Sequence, residues 1–315
     1  MRRVLLPIFA GLFSCVCLPS AQAAPALTKI NFLYNASSAF VALFVAADQG
    51  YLSKYGLEVE FSLAPSGAVM PPALISGSAQ IGAPTATVLL QASEQGLDLV
   101  AIAGTSAYPA PAGTAGVLAR TGSGIKGPRD LVGRKVGLPS LGGIFEVLMR
   151  RWVQASGADD RKVGWVEVQI RQMGDALKAE LVDAVVPVEP FYSRILASRA
   201  AYDIGDFETV VPAGTMPVFY AATRVWAMEN ASVVRAFRAA LDDAVAYIED
   251  PAHADAVRAS IAKYTKLPPE AAATVGIPPN LDVHMRPSSL AFWIEVSREQ
   301  GVIKGNPDPA SLIAP

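Results

Sequence analysis

The sequence predicts an α/β fold of two similar lobes. Three observations carry this: a strand-helix-strand layout occurs twice, the segments after each copy also correspond, and the chain is long enough for two cores. In the first copy Lys29 to Tyr34 reads as a strand. Ala36-Ser37-Ser38 follow, then a helical pattern from Phe40 to Leu52, then Gly56 and the alternating strand Leu57 to Phe61. In the second copy Lys135 to Leu138 is the strand, Ser140-Leu141-Gly142-Gly143 the turn, Phe145 to Ala155 the helix and Gly164 to Val168 the returning strand.

The next pieces match as well. Pro72 to Ser76 reads as a short helix, Gln80 to Ala83 as a buried strand, and Pro84-Thr85 as the opening of another helix. Their counterparts are a helix at Asp175 to Leu181, a strand at Asp183 to Val186, and Pro187 to Pro190 leading into a helix from Phe191 to Ser198. Proline suits both openings because its fixed φ is tolerated in a first helical turn. Right-handed crossovers in such units predict a parallel sheet in each lobe. The first lobe is expected over 24–119 and 215–315, and the second over 120–214. The chain leaves through the Gly/Pro/Ala-rich stretch 109–116 and the strand Val117 to Ala119, and returns at Pro212 to Thr215 before a strand at Val218 to Ala221. Helical patterns at Ala231 to Glu249, Ala252 to Tyr264 and Pro287 to Gln300 complete it.

The N-terminus has a different character. Arg2 and Arg3 precede an apolar run from Val4 to Leu18 and a small-x-small site ending at Ala23, the pattern of a secretory signal peptide over 1–23. The run is too short for a spanning helix. A lipid anchor at Cys15 is the weaker reading, because Phe13 fits that motif poorly and the better cleavage site follows. An exported, periplasmic protein is expected. Cys15 and Cys17 both lie in the leader, so the mature chain has no thiol for a disulfide, a thiolate metal site or a nucleophile. Losing Arg2 and Arg3 leaves 24 basic against 28 acidic residues, a net charge of −4, which points away from nucleic acid.

Catalytic and cofactor patterns are absent. Only His253 and His284 occur, far from any ligand-type cluster, so no metal site is expected. Gly122-Ser123-Gly124-Ile125-Lys126-Gly127 satisfies Gly-x-Gly-x-x-Gly, but Pro128 follows where a long helix must start and the acidic partner is missing. No nucleotide or other cofactor is expected.

The positive signals lie at strand ends, where parallel sheets bind ligands and helix N-termini present free amides. Ser37, Ser38 and Phe40 follow the first strand, Ser66 and Gly67 the second, and Thr85 the third. Ser140, Leu141, Gly142 and Gly143 precede a helix in the other lobe and form an expected anion cradle, and Glu189 follows a buried strand there. Each hydroxyl has a second reading as a helix N-cap. Phe40 is either a ligand contact or core. Glu189 is either an acceptor for the ligand or a structural charge.

In their order and residues, several segments resemble the solute-binding proteins of the nitrate/sulfonate/taurine ABC-transporter group. They are Phe40-x-x-Leu43-Phe44-Val45-Ala46, Gly50 to Glu60, Leu74 to Gly82, Ile125 to Gly137, and Val188-Glu189-Pro190-Phe191. The resemblance spans nearly the whole mature chain. It implies the type II periplasmic binding protein fold: two α/β lobes joined by two crossover strands, with the ligand in the cleft between them. It also implies delivery of a small solute to an ABC permease, and the mature protein is expected to bind its solute as a monomer. Neutral hydroxyls, a phenyl ring and backbone amides suit a small organic acid or anion with an apolar body, of sulfonate, carboxylate or aromatic-acid type. Two other readings stay open. Thiamine-pyrimidine synthases are similar to this family but rely on cleft Cys and His, and a periplasmic sensor would bind a solute yet dock on a receptor.

Overall fold

The computed structural model describes residues 27–65, 67–108, 116–268, 272–273 and 275–315. The expected leader and Ser66 lie outside them. In chain order the first part runs β1 (Thr28–Tyr34), α1 (Val41–Asp48), α2 (Tyr51–Lys54), β2 (Leu57–Leu63), α3 (Met70–Ile75), β3 (Ile81–Gly82), α4 (Ala86–Glu94) and β4 (Leu99–Gly104). The middle part runs β5 (Leu118–Arg120), β6 (Lys135–Leu138), α5 (Ile144–Ala155), β7 (Gly164–Glu167), α6 (Met173–Lys178), β8 (Ala184–Val185), α7 (Phe191–Ala197) and β9 (Ala201–Asp203). The chain then returns through β10 (Phe219–Thr223), α8 (Arg224–Glu229), α9 (Ala231–Glu249), α10 (Ala254–Tyr264) and α11 (Ser288–Glu299). The single helix expected over 40–52 is broken, because Gly50 at φ 75° takes the left-handed conformation that ends one helix and starts the next.

Two five-stranded sheets result, ordered β2-β1-β3-β10-β4 and β7-β6-β8-β5-β9. The expected all-parallel sheets are mixed instead. In the first, β10 runs antiparallel to β3 and β4, and in the second β5 runs antiparallel to β8 and β9. The reason is geometric. The other strands point their carboxyl ends toward the gap between the lobes, whereas β5 and β10 are the first strands after the chain has crossed that gap. Each must therefore run away from it. The two crossing segments hold each other, with Val117 and Ile204 exchanging backbone bonds with the facing chain and Tyr108 bonded to Thr215 and Gly214.

The first core is aromatic. Phe32, Tyr34, Phe40, Phe44, Phe61 and Tyr264 meet edge-on, stacked or tilted, with centroids between 4.4 and 6.4 Å apart. Helix α1 is buried from Val41 to Ala46 between its sheet and helices α9 and α10. Trp293 on α11 is fully buried and its indole N–H donates to the Met216 carbonyl at 2.6 Å, fixing the C-terminal helix against a crossing segment. No helix of the described residues is long and apolar enough to cross a membrane.

Candidate functional site

A cavity of about 800 Å³, mouth included, opens between the two sheets. Its wall is built by strand ends from both. Asn35, Ser37, Ser38 and Phe40 follow β1, Thr85 follows β3, and Ser106 and Tyr108 follow β4. From the other sheet come Phe145 after β6, Ile170 after β7, Val188 and Glu189 after β8, and Glu208 after β9. Pro278 and Pro279 close one side. In a parallel sheet the strand ends are where the backbone leaves the ladder and side chains become free to face a ligand.

Five expected site residues meet here: Ser37, Ser38, Phe40, Thr85 and Glu189. Their roles divide. The Ser37 hydroxyl accepts from the Ala39 amide at 3.2 Å, so it caps the turn before α1. The Ser38 amide donates to the Glu189 carbonyl at 3.0 Å, a contact made across the gap. Phe40 is both core and wall. Thr85 makes no cap bond and pairs instead with the Thr87 hydroxyl at 3.3 Å.

The 140–143 turn does not line this cavity. The Gly142 amide donates to the Glu146 carboxylate at 2.7 Å and the Leu141 amide to Glu167 at 3.4 Å, so the expected cradle is occupied by the chain's own carboxylates. Glu146 is the third residue of α5 and reaches back past the Gly143 cap to the amide before it, satisfying one free donor at the helix start. It also holds Arg150 at 2.6–2.8 Å, and Arg150 in turn holds the buried Asp160 at 2.7 Å. Glu146→Ala is therefore expected to cost about 1–3 kcal/mol by stranding these donors, measured as a fall in the denaturant midpoint at unchanged slope. Gly67 is buried in the turn Gly67–Val69, packed on Val88 and away from the cavity.

Glu189 is 7% exposed. Its carboxylate accepts from the Ser193 hydroxyl at 2.5 Å and the Ser193 amide at 3.4 Å, while the bare backbone of Gly276 lies against it. Burial pushes its carboxyl above the ordinary range, opposed by the Ser193 bonds. Such a group holds its proton more tightly in the fold than in the unfolded chain, so its contribution to stability falls as pH rises through that interval. Arg171 lines an adjoining groove with Pro139 and Leu63. Among the described residues the cavity wall carries no lysine or arginine.

Sequence reasoning missed Tyr108 and Glu208. Tyr108 follows β4, whose six consecutive buried residues Leu99 to Gly104 are the signal of a central strand. Glu208 follows β9, only three residues long and without a distinct pattern. The two histidines stay outside the cavity, His253 stacked on Tyr247 and His284 3.2 Å from Asp242. Among the described residues no group of three metal-ligating side chains comes together.

A family model described as NMT1/THI5 like matches residues 37–254. No curated protein sequence matches the chain. Three solved structures illustrate the fold likeness. The periplasmic aliphatic sulphonate binding protein SsuA from Escherichia coli superposes with TM-score 0.74 at 21% identity, over 92% of this chain and 98% of its own. The periplasmic nitrate-binding protein NrtA from Synechocystis PCC 6803 gives 0.76 at 14%, over 91% and 85%. The desulfurization enzyme DSZB gives 0.66 at 14%, over 91% and 96%.

Proposed function

The chain belongs to the NMT1/THI5-like family, and from that membership and its cavity we propose that it is an extracytoplasmic solute-binding protein serving an ABC permease. One observation carries the reading: strand ends of both sheets converge on one cavity, with the Ser38 amide donating to the Glu189 carbonyl across it. A solute filling that gap touches both lobes at once, so it favours the closed arrangement by its differential contacts. The sulphonate-binding and nitrate-binding proteins of the same fold support this reading. The leader pattern at 1–23 supports export, and the lobes proposed are 24–119 with 215–315, and 120–214. Ser38, Phe40, Thr85 and Glu189 are the proposed ligand contacts, with Ser37 shaping the turn that carries them.

The expected result has three parts. The exported protein begins at Ala24 and sediments as a monomer. A panel of small solutes contains members that raise its melting temperature, since a ligand at a hundred times its Kd stabilises the fold by about 2.7 kcal/mol. Those same solutes lower the radius of gyration in small-angle scattering. A panel that moves neither quantity would overturn the proposal. Because DSZB shares the fold, the solute is also to be recovered unchanged after incubation; turnover would favour an enzyme instead.

A further inference from the structure

The two lobes meet through two unlike contacts, and one of them is built to come apart. We propose that residues 189–191 form a releasable clasp that sets how closely the lobes approach, with Phe191 and Gly276 as its positioning residues. Its consequence for solute capture rests on the solute-binding reading; the clasp itself does not.

The first contact is a shared core. Val147 and Leu148 of α5, from the second lobe, lie in one buried apolar cluster with Leu290 and Trp293 of α11, from the first. Arg151 adds a bond to Glu299 at 3.0 Å between the same two helices. Parting them would expose many apolar side chains at once, so this contact serves as the pivot. The second contact is a single ring. Among the described residues Phe191, which opens α7, is the only buried second-lobe residue in the first lobe's aromatic cluster, and it is 4% exposed. Ile195, one turn on, packs in the second lobe's own cluster, so α7 joins the two. Two backbone contacts accompany the ring. The Ser38 amide donates to the Glu189 carbonyl at 3.0 Å. The Gly276 backbone lies against the Glu189 carboxylate, which Ser193 holds from the same helix. A Cβ at 276 would stand 3.1 Å from Glu189 Oε1 and 3.2 Å from its Cδ. Gly276 is outside the left-handed region, so the nearness of the other lobe, and not its φ, favours glycine there. Ser38 and Gly276 belong to the first lobe and Glu189 and Phe191 to the second, so all three contacts break together. Releasing them exposes one ring and one hydrogen bond, a step small enough for a two-state element. By raising the closed fraction, the clasp raises the apparent affinity for a solute that needs both lobes.

The test needs no solute. Residues 24–315 contain no cysteine, so spin labels on Ser53→Cys and Ala179→Cys, both exposed and one in each lobe, report a single interlobe distance in the mature protein. The parent is expected to show a population at the separation seen in the structure. Phe191→Ala is expected to move the equilibrium at least about tenfold toward longer separations, the shift that burial of one ring supports. Gly276→Val drives methyl groups into the Glu189 carboxylate and is expected to move it the same way. Phe191→Leu retains most of the parent's distribution. Circular dichroism verifies that each variant is folded. A folded Phe191→Ala with the parent's distances overturns the clasp, as does a parent that shows long separations alone. Should Phe191→Ala not fold, Gly276→Val decides by the same criterion. Failure here leaves the solute-binding reading standing, because that is judged by the solute panel. A silent panel with the expected distances keeps the clasp and removes only its role in capture.

Discussion

Gly104→Ala is expected to destabilise the fold by at least about 3 kcal/mol, near the top of what overpacking by one methyl group costs. Gly104 ends β4 and its amide donates to the Val283 carbonyl at 3.0 Å. A Cβ there would stand 2.4 Å from the Asp282 carbonyl oxygen and 2.8 Å from the Met216 sulfur. The sulfur can swing aside, but the backbone oxygen belongs to the segment that continues from Pro278 and Pro279 on the cavity wall. Relief must come from moving that segment off the strand, so solute affinity should fall together with stability. Thermal and denaturant unfolding measure the first effect and calorimetry with any bound probe the second. Gly127→Ala is the control, an extended glycine at φ 179° with open space around its Cα, and should be neutral. Equal stability of the two variants would show that the 278–283 segment yields freely.

The contrast between these two glycines bears on what could be read before the fold was known. Periodicity locates most helices, since α9 spans Ala231–Glu249 as its apolar pattern requires and α5 begins within a residue of expectation. It located the β-α-β units because strand, small-residue turn and helix follow one another locally. It missed β4 and β9, and with them the strand ends carrying Tyr108 and Glu208. Strand direction failed for a different reason. That β5 and β10 run against their neighbours is fixed by where the chain crosses between sheets, a long-range fact that no window of sequence contains.

The site divides in the same way. Ser38, Thr85 and Glu189 were legible because they follow strands that the pattern exposes, and all three reach the cavity. The 140–143 turn misled because free amides beside a helix start were counted without their nearest acceptor. Glu146 at the third helical position was the signal, and it satisfies Gly142 from within the chain. Which charged side chains share a wall was the least legible property, since Arg171 and Glu189 line different grooves for reasons no local pattern contains.

Phe40 is where core and cavity coincide, and its substitution separates the two roles. Its ring is 2% exposed and lies 5.9 Å from Phe32, 6.1 Å from Tyr34 and Tyr220, and 6.4 Å from Phe44. Phe40→Ala removes a buried ring that the surrounding aromatics cannot collapse to replace, and should cost about 3–5 kcal/mol. Phe40→Leu keeps an apolar group of similar reach and should cost less than about 1.5 kcal/mol. If the ring also contacts the solute, the leucine variant keeps its fold yet binds an aromatic probe up to about tenfold more weakly, because it loses a ring-on-ring contact of about 0.5–1.5 kcal/mol. Thermal unfolding and calorimetry on the same preparations supply both numbers. A leucine variant with unchanged affinity would assign Phe40 to the core alone and leave Phe145 and Tyr108 as the aromatic groups on the wall. A loss of binding with the fold intact would tie the first strand end to the solute, because the residue that packs that lobe's core would then also be reading the ligand.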